Sequence, residues 1–588
     1  MREIETVLCA VAVIGAVPFA GWMAMPAAAP SKHPHGTASP VIRHRPRPPI
    51  PRTAADGARL NAVKTFADNV LEYGRDHYGP TPTPLFVDGV NVDTMEPVVW
   101  QYRGQRWIVS DLANQQILFR TLVGLSNLTS DPRYRQAAQG AIRYHFEHLR
   151  RPGGLLQWGG HRFIDLRTGT VVGESDVHEL KSIYPDYDLM WQTDPGATEQ
   201  FIKAFWNAHV LDWSTLDMNR HGAYGRPLGA LWAHEFRGAK PFFEGKGLTF
   251  INCGSDLVYA GAHLYRYTAD AGALVWAKRL AEQYVKARDP RTHLGAYQFS
   301  QPKQERTPTN DAQTDSSFGD RAHRQFGPEF GDRALEGKVL PPSHGTEIYG
   351  RATIAQLRLA EALGGDGKEF LQWAHSGLRA YAHYAYNPRT NMLAAMLTDG
   401  TRLTPDDVRR PGYYSPGSFR EQPAGSILVL SYAMGYRLTR DIELWQTARA
   451  MGRGCGLGDL GSRPGVKVRA NLKTDNGDPV ALLAILEICR IADDATYLAL
   501  ARAIGDNIVA SRFHHGFFVP DADHVNARFD ALEPLALLTL EARLRGTPDA
   551  VPAYSGGSGY IHGPHDGLGR TYDSVAIWSQ RRGHERPE

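Results

Sequence analysis

Apolar residues recur at three- and four-residue steps through most of the chain between residues 53 and 545. The first series comprises Leu60, Val63, Phe66, Val70 and Tyr73. This spacing is that of one face of an amphipathic α-helix. Strand-like alternation is short and scarce, as at residues 85–87 and 107–109. The pattern therefore predicts a mainly helical body, with further helices over residues 112–128, 197–213, 255–268, 272–287, 352–363, 369–386, 424–436, 442–452, 478–491, 495–510 and 527–544.

A second pattern marks where helices begin. At five places a polar turn leads to an aspartate and then to a helix rich in small residues: Asp131, Asp270, Asp366, Asp441 and Asp494. An aspartate at such a place accepts hydrogen bonds from the free amides of the next helix and suits its positive end. The sequence thus predicts αα-hairpins at unequal spacings, which argues against a regular solenoid.

The predicted fold class is all-α. A closed ring of helical hairpins, an α/α toroid with long loops over one end, fits these hairpins best. The loops that interrupt the helical pattern are rich in aromatic residues, and function concentrates on such loops. They cover residues 152–195, 214–252, 291–350 and 397–422.

Composition narrows the class of protein. The 588 residues are 42% hydrophobic and 22% charged, which excludes a mainly disordered, collagen-like or polytopic membrane chain. The formal net charge is +3, but residues 30–52 carry five lysines and arginines and no acid. The rest of the chain therefore has a net charge of −2. A near-neutral body lacks the basic face of a dedicated nucleic-acid binder, so no nucleic-acid partner is expected.

The N-terminal segment indicates export. Residues 1–29 contain Arg2, an apolar run over residues 7–22 and a stretch of small residues at 27–29, which is typical of a secretory signal peptide. The apolar run is short for a bilayer and contains glycine and proline, so no stable membrane span is expected. A periplasmic or secreted protein is predicted, with membrane anchoring through this segment as the alternative.

The remaining segment boundaries follow from where proline and glycine residues are concentrated. Residues 30–52 contain seven prolines, which predicts an extended, semi-rigid linker. Residues 53–545 form one large helical domain. Residues 546–588 form a glycine-rich tail, which either wraps irregularly over the body or is partly disordered.

The densest cluster of ionisable and aromatic residues lies between residues 155 and 222. It holds His161, the pair His178-Glu179, and the pair Arg220-His221. Two imidazoles with one carboxylate suit a divalent transition ion rather than calcium, which prefers an all-oxygen shell. The cluster has no HExxH-type spacing, however, and residues of these types are also common as surface or hydrogen-bonded groups.

Several stretches of the chain resemble the family 2 polysaccharide lyases, which are pectate lyases. The Arg-His pair with an upstream His and Glu is the specific part of the likeness. The stretches are residues 83–91, 119–126, 206–209 and 243–247, Trp158-Gly159-Gly160-His161, His178-Glu179-Leu180-Lys181 and Asp217-Met218-Asn219-Arg220-His221-Gly222.

The resemblance implies an (α/α)7 barrel and β-elimination of polygalacturonate aided by a divalent transition metal, often Mn²⁺, with Ni, Co, Fe or Zn as alternatives. By the same resemblance His161, Glu179 and His221 are metal ligands and Arg220 is the Brønsted base. The spacing from His161 to Glu179 is slightly shorter than in the family pattern. His178 is therefore the alternative ligand in place of Glu179.

The substrate implied is an acidic, galacturonate-based polysaccharide or oligosaccharide. Such a substrate needs cations for its carboxylates and flat aromatic faces for its sugar rings. The candidate cations are Lys181, Lys246 and Arg162, and the candidate platforms are Trp158, Tyr184 and Trp191. Each of the aromatic residues could instead pack in the core.

Two other functions remain open from the sequence. One is a glycoside hydrolase on an α/α barrel that uses Asp186 or Asp188 together with Glu347. The other is an inactive carbohydrate-binding homologue that keeps the barrel and has lost the metal ligands. The presence of the Arg220-His221 pair favours the lyase.

Overall fold

The computed structural model describes residues 49–583 except 103, 174–176, 301–319, 321, 323–324, 411, 560–561, 566–570 and 574–576. The predicted signal peptide and all but the last few residues of the predicted linker lie outside the described residues. Within the described part, the helical periodicity of the sequence forms helices. These are α1 (Ala54–Tyr73), α2 (Gln116–Thr129), α3 (Pro132–His148), α4 (Tyr187–Thr193), α5 (Pro195–His209), α6 (Ile251–Thr268), α7 (Ala271–Lys286), α8 (Pro342–Thr346), α9 (Thr353–Leu363), α10 (Lys368–Tyr384), α11 (Ser426–Thr439), α12 (Ile442–Gly454), α13 (Pro479–Ile491), α14 (Ala495–Arg512) and α15 (Glu533–Leu544).

Within the described residues, helices pack in seven pairs: α2 with α3, α4 with α5, α6 with α7, α9 with α10, α11 with α12, α13 with α14, and α15 with α1. One helix from each of six of these pairs packs against the next on the inner side of a ring, in the order α6, α9, α11, α13, α15 and α2. Burial follows this arrangement, since 12 of the 14 residues of α2 are buried but only seven of the 17 in its outer partner α3. The predicted α/α toroid is confirmed.

Aspartates begin four of the five predicted hairpin helices. The carboxylates of Asp131, Asp270, Asp441 and Asp494 accept from backbone amides two residues on. Asp366 is the exception, because it lies inside a 3₁₀ turn, Gly364–Gly367, that precedes α10. Its carboxylate accepts instead from the hydroxyl of Tyr265, at 2.8 Å.

Several helical segments differ from the sequence-based expectation. Residues 152–195 were expected to be loop, yet they contain the seven-residue helix α4, which is too short to give a period. The helix expected from residue 527 begins at Glu533, because residues 526–528 form a strand. A π-helical segment, Glu347–Ala352, joins α8 to α9.

Short antiparallel strands shape the loops. They are β1 (Gly89–Asn91), β2 (Val99–Tyr102), β3 (Gln105–Ser110), β4 (Arg162–Asp165), β5 (Thr170–Gly173), β6 (Val177–His178), β7 (Val210–Asp212), β8 (Asp217–Met218), β9 (Gly222–Ala223), β10 (Thr249–Phe250), β11 (Gln298–Phe299), β12 (Val339–Leu340), β13 (Tyr386–Asn387), β14 (Met392–Leu393), β15 (Met396–Leu397), β16 (Gln422–Pro423), β17 (Gly458–Asp459), β18 (Arg469–Ala470), β19 (Phe513–His514), β20 (Phe517–Phe518), β21 (Asn526–Arg528), β22 (His562–His565) and β23 (Thr571–Asp573). The largest sheet has the order β2-β3-β4-β5, and β6 pairs with β9 and β10 with β11.

The described part of the glycine-rich tail lies against the ring. The amide of Ser558 donates to the carbonyl of Ser182 at 2.9 Å, and Arg351 donates to the carbonyl of Gly556 at 3.2 Å. Of the two arrangements expected for this segment, these residues adopt irregular wrapping. Among the described helices, none combines the length and the apolar character needed to cross a bilayer.

A buried charge network ties three inner helices together. Glu361 of α9 and Glu487 of α13 face three arginines, Arg358, Arg437 and Arg490. Arg490 lies 2.7 Å from Glu361 and 3.0 Å from Glu487. Burial raises the pKa of Glu361, but the three guanidinium groups outweigh burial and lower that pKa to about 2.

We predict that Glu361→Gln destabilises the fold at neutral pH and has little effect in strong acid. The native-state pKa of Glu361 is below its usual 4.5. Its contribution is therefore fully present above about pH 4.5 and is lost as the pH falls towards about 2. From this shift the loss at pH 7 is about 3 kcal/mol. Unfolding monitored by circular dichroism at several pH values measures it.

A matched control is Glu443→Gln, which removes a carboxylate from an exposed pair with Arg379. Exposed pairs contribute little, so this variant should unfold like the parent protein. Equal stability of the Glu361→Gln variant and the parent at neutral pH would contradict the role given to the network.

Candidate active site

The pairing of two short strands brings the distant parts of the site together. In the β6–β9 pair, His178 lies opposite Gly222 and Val177 opposite Ala223. The antiparallel register therefore places the next residues, Glu179 and His221, side by side. Because side chains alternate along a strand, His178 and Glu179 point to opposite sides.

A glycine turn brings His161 to the same place. Gly159 has φ +105°, and a Cβ on it would lie 2.3 Å from the carbonyl oxygen of Glu179, so only glycine fits. The amide of Gly160 donates to that carbonyl at 3.0 Å, and the amide of Gly159 donates to the carboxylate of Asp111 at 3.1 Å. The turn is thus held on both sides.

Four side chains converge on the carboxylate of Glu179, which is 0% exposed. The Nε2 of His161 lies 3.0 Å from Oε2 and the Nζ of Lys181 lies 2.9 Å from the same oxygen. Arg220 approaches Oε1 to 3.3 Å, and the Nε2 of His221 lies 3.5 Å from it. The structure thus brings together Arg220, the three expected metal ligands and one expected substrate cation.

The electrostatics of the cluster favour an ionised carboxylate. Burial alone raises the pKa of Glu179, but the charges of Lys181 and Arg220, with hydrogen bonds from both imidazoles, lower that pKa well below its usual value. Burial lowers the pKa of His221 and favours the neutral imidazole, although Glu179 opposes this effect. Burial also lowers the pKa of Lys181 to about 8. The result is a buried anion surrounded by nitrogen donors.

An aromatic ring supports the cationic side of the cluster. The guanidinium carbon of Arg220 lies 4.6 Å from the ring centroid of Phe250, and the Nζ of Lys181 lies 6.0 Å from it. Both distances fall in the range of cation–π interactions. The sequence analysis missed Phe250, because nothing in the sequence near it indicates that β10 folds back beneath residue 220.

The triad of His161, Glu179 and His221 fits a divalent transition ion. One ligand atom from each lies within 4.8 Å of the others, and ligands of a single ion at about 2.0–2.2 Å lie within roughly 4.4 Å of one another. A movement of a few tenths of an ångström closes this difference. The Nε2 atoms of His161 and His221 both face the carboxylate of Glu179, so an ion between the three residues would meet a ligand atom from each.

His178, the alternative ligand, does not join the triad. It is buried on the other side of the strand, where its Nδ1 lies 2.9 Å from the Nε2 of His209 and its ring packs on Phe205. The geometry therefore favours Glu179 over His178 as the carboxylate member of the candidate site.

The other expected substrate contacts are not among the four side chains that converge on Glu179. Trp158 is 1% exposed and packs edge-on against Phe201, so its faces are not available to a sugar. The guanidinium of Arg162 stacks on Tyr224 at 4.1 Å and is buried. Lys246 is exposed, and its backbone amide donates to Asp217. These three were identified by residue type and neighbourhood in the sequence, which do not reveal the direction of a side chain.

The remaining candidate platforms are also engaged. Tyr184 is buried, and Trp191 stacks on Tyr267 with ring centroids 4.7 Å apart. Trp158 and Tyr184 are therefore buried in the core, and one face of Trp191 is covered by Tyr267.

The carboxylates considered for hydrolysis have structural partners. Asp186 accepts from the amide of Leu189 at the start of α4. Asp188 accepts from Tyr267 at 2.7 Å and pairs with an arginine of α6. Glu347 pairs with Arg351 at 3.0 Å. These contacts give no support to a hydrolytic acid–base pair.

Comparison with known proteins decides the family. The family described as "Periplasmic pectate lyase" matches residues 83–564. This chain belongs to the periplasmic pectate lyase family. It is 36% identical over 543 residues to a pectate disaccharide-lyase of Dickeya dadantii (strain 3937), a match that covers 89% of this chain and 97% of that protein. The chain is accordingly a polysaccharide lyase of the pectate-cleaving type.

Solved structures give weaker likenesses. A D-mannose isomerase has a TM-score of 0.40 at 13% identity, covering 69% of this chain and 88% of that one. The GH76 α-mannanase of Bacteroides thetaiotaomicron has a TM-score of 0.39 at 10% identity, covering 84% and 98%. Cellobiose 2-epimerase from Bacillus thermoamylovorans has a TM-score of 0.40 at 9% identity, and the match covers 82% of this chain and 99% of that one. TM-scores below 0.5 say nothing about chemistry.

We predict that Gly159→Ala damages the site beyond a general loss of stability. Its Cβ would collide with the carbonyl of Glu179, which displaces two members of the triad. We expect pectate-lyase activity to fall at least about tenfold, since small misplacements of reacting groups are costly. Steady-state kinetics and thermal unfolding measure the two effects.

Gly169→Ala is the matched control. Gly169 also has positive φ, +68°, but no atom lies within 4 Å of its Cβ position. It should show the cost of backbone strain alone, about 1–3 kcal/mol, with activity retained. Equal activity losses in the two variants would contradict the role of the Gly159 turn.

Proposed function

We propose that this lyase cleaves polygalacturonate or oligogalacturonides by metal-assisted β-elimination, with Arg220 as the Brønsted base. The observation that carries the proposal is the convergence of two imidazoles, a lysine and an arginine on one buried carboxylate. The family gives the substrate class, and the arrangement suits removal of a proton next to a bound carboxylate.

His161, Glu179 and His221 would hold the metal, with Mn²⁺ as the preferred ion and Ni, Co, Fe or Zn as alternatives. Two nitrogen ligands and one carboxylate suit this class of ion. Bound there, the ion would neutralise the carboxylate of a uronate and so make the proton at C5 more acidic. The neutral form of His221, favoured by its burial, is the form that binds a metal.

Arg220 would take the proton from C5. The electron pair of the C5–H bond then forms the C4=C5 double bond, the C4–O4 bond breaks, and O4 leaves with that bond's electron pair and takes a proton from solvent. Arginine is ordinarily protonated, so it can act as a base only where its cationic form is disfavoured. Lys181 supplies a like charge close by, since its Nζ and the guanidinium of Arg220 approach the same carboxylate, to 2.9 and 3.3 Å.

Lys181 would orient the substrate. Its side chain is 10% exposed and its Nζ lies beside the triad, where a uronate carboxylate could accept a hydrogen bond from it. Such a charge-assisted contact is among the stronger hydrogen bonds. Lys246, Arg162 and Trp158, which lie outside the cluster, are not needed for this step.

We further propose that the protein is exported. The family is described as periplasmic, and the first 29 residues have the pattern of a cleavable signal peptide. Pectate is an extracellular polymer, so an exported or periplasmic location suits the activity.

We predict that the purified protein forms unsaturated uronate from polygalacturonate and loses this activity after treatment with a chelator. Mn²⁺ should restore the activity and Ca²⁺ should not, because the site offers two imidazole ligands. Ultraviolet absorbance of the unsaturated product measures the rate. New reducing ends without this absorbance would show a hydrolase, and full activity after chelation would exclude the metal.

A second prediction concerns Arg220. Arg220→Ala should lower kcat by about 10²–10⁴-fold, the range for loss of a general base. Removal of a cation beside Glu179 should not weaken Mn²⁺ binding, which calorimetry measures. The control is Arg237→Ala, which removes an exposed arginine paired with Glu235. Full activity of Arg220→Ala would show that another group is the base.

A further inference from the structure

Two buried histidines lie directly behind the candidate active site. His178 and His209 are both 0% exposed, and the Nδ1 of His178 lies 2.9 Å from the Nε2 of His209. The Nδ1 of His209 in turn lies 2.9 Å from the carbonyl oxygen of Asn219. His178 immediately precedes Glu179, and Asn219 immediately precedes Arg220. The pair therefore connects the two segments that carry the candidate chemistry.

The hydrogen-bond pattern fixes the tautomers of both rings. A carbonyl only accepts, so the Nδ1 of His209 must carry a proton and donate to Asn219. Both rings are 0% exposed, and their hydrogen bonds go to each other and to a carbonyl, not to a carboxylate. Because a buried charge without an anionic partner is costly, both rings are neutral. The Nε2 of His209 is therefore an acceptor, and His178 donates to it through its own Nδ1.

Other contacts make the segment from residue 219 to 222 depend on His209. The amide of Asn219 donates to the carbonyl of His209 at 2.9 Å, which closes a two-way link. A Cβ on Gly222 would lie 2.6 Å from the imidazole ring of His209, so the strand approaches as closely as a glycine allows. The thiol of Cys253 donates to the next carbonyl, that of Arg220, at 3.5 Å.

We propose that His178 and His209 are positioning residues, which hold the Glu179 strand and the Arg220-His221 segment at the separation that the reaction requires. The proposal rests on the proposed function of that site. Neither imidazole touches the cluster around Glu179; each acts through the backbone of a neighbouring residue. His209 has the larger effect, since it bonds directly to the residue before Arg220.

Amide side chains allow each hydrogen bond to be tested separately. The side-chain amide of asparagine occupies the place of the imidazole Nδ1, and that of glutamine reaches the place of Nε2. His209→Asn can therefore keep the donor to Asn219, whereas His209→Gln loses it. His178→Asn can keep the donor to His209, whereas His178→Gln loses it.

His145 offers a matched control. It is also 0% exposed, its Nδ1 lies 3.2 Å from the carbonyl of Ala141, and burial lowers its pKa to about 4. It lies in α3 and takes no part in the cluster. His145→Gln removes a buried imidazole of the same kind, so it reports the cost of that loss to stability alone.

The experiment compares these variants by thermal unfolding, by calorimetric titration with Mn²⁺, by electron paramagnetic resonance of the bound Mn²⁺, and by kcat and KM on polygalacturonate. His209→Gln should weaken Mn²⁺ binding and lower kcat, each on the order of 10–100-fold, the range for residues that orient ligands. KM should change little. His209→Asn should recover most of the lost Mn²⁺ affinity and kcat. His178→Asn should likewise bind Mn²⁺ more tightly and have a higher kcat than His178→Gln.

Two outcomes overturn the proposal. One is unchanged Mn²⁺ affinity and kcat in His209→Gln, with only the loss of thermal stability seen in His145→Gln. The other is equal loss in the asparagine and glutamine variants. If the unmodified protein binds no Mn²⁺ and cleaves no polygalacturonate, the proposed function fails instead, so the two failures are distinguishable.

Discussion

The rest of the site depends on the compensation of one buried negative charge, that of the Glu179 carboxylate. A fully buried anion is costly unless opposite charges and hydrogen bonds compensate it. Here Lys181, Arg220 and the two imidazoles of His161 and His221 provide that compensation. The same groups are those that the proposed metal-assisted elimination would use, so one arrangement would serve both the stability of the fold and the proposed chemistry.

The toroid contributes by holding loops that are distant in sequence. In the loops of its helix pairs, β4 belongs to a four-stranded antiparallel sheet, and β6, β9 and β10 belong to two-stranded ones. Close backbone contacts then set the positions of side chains. Gly159 admits the carbonyl of Glu179, and Gly222 admits the ring of His209. Because a Cβ at either glycine would overlap its neighbour, close packing as well as charge fixes the positions of the site residues.

Much of this could be predicted from the sequence. Helical periodicity predicts most of the helices, and aspartates such as Asp131 and Asp494 predict where helices begin. Both signals are local in the sequence. The triad and Arg220 came from their resemblance to a family and not from spacing. Trp158 and Arg162 point into the core, and Asp366 bonds to Tyr265. Such directions depend on contacts between distant segments, which a single sequence does not contain.

Glu179 and the imidazoles of His161 and His221 are proposed to bind a metal beside Arg220. Anomalous X-ray scattering from crystals grown with Mn²⁺, recorded on both sides of the manganese edge, can test for this ion. We expect one peak within bonding distance of the Nε2 atoms of His161 and His221 and an oxygen of Glu179. An ion bound elsewhere, or no peak between these three residues at saturating Mn²⁺, would contradict it.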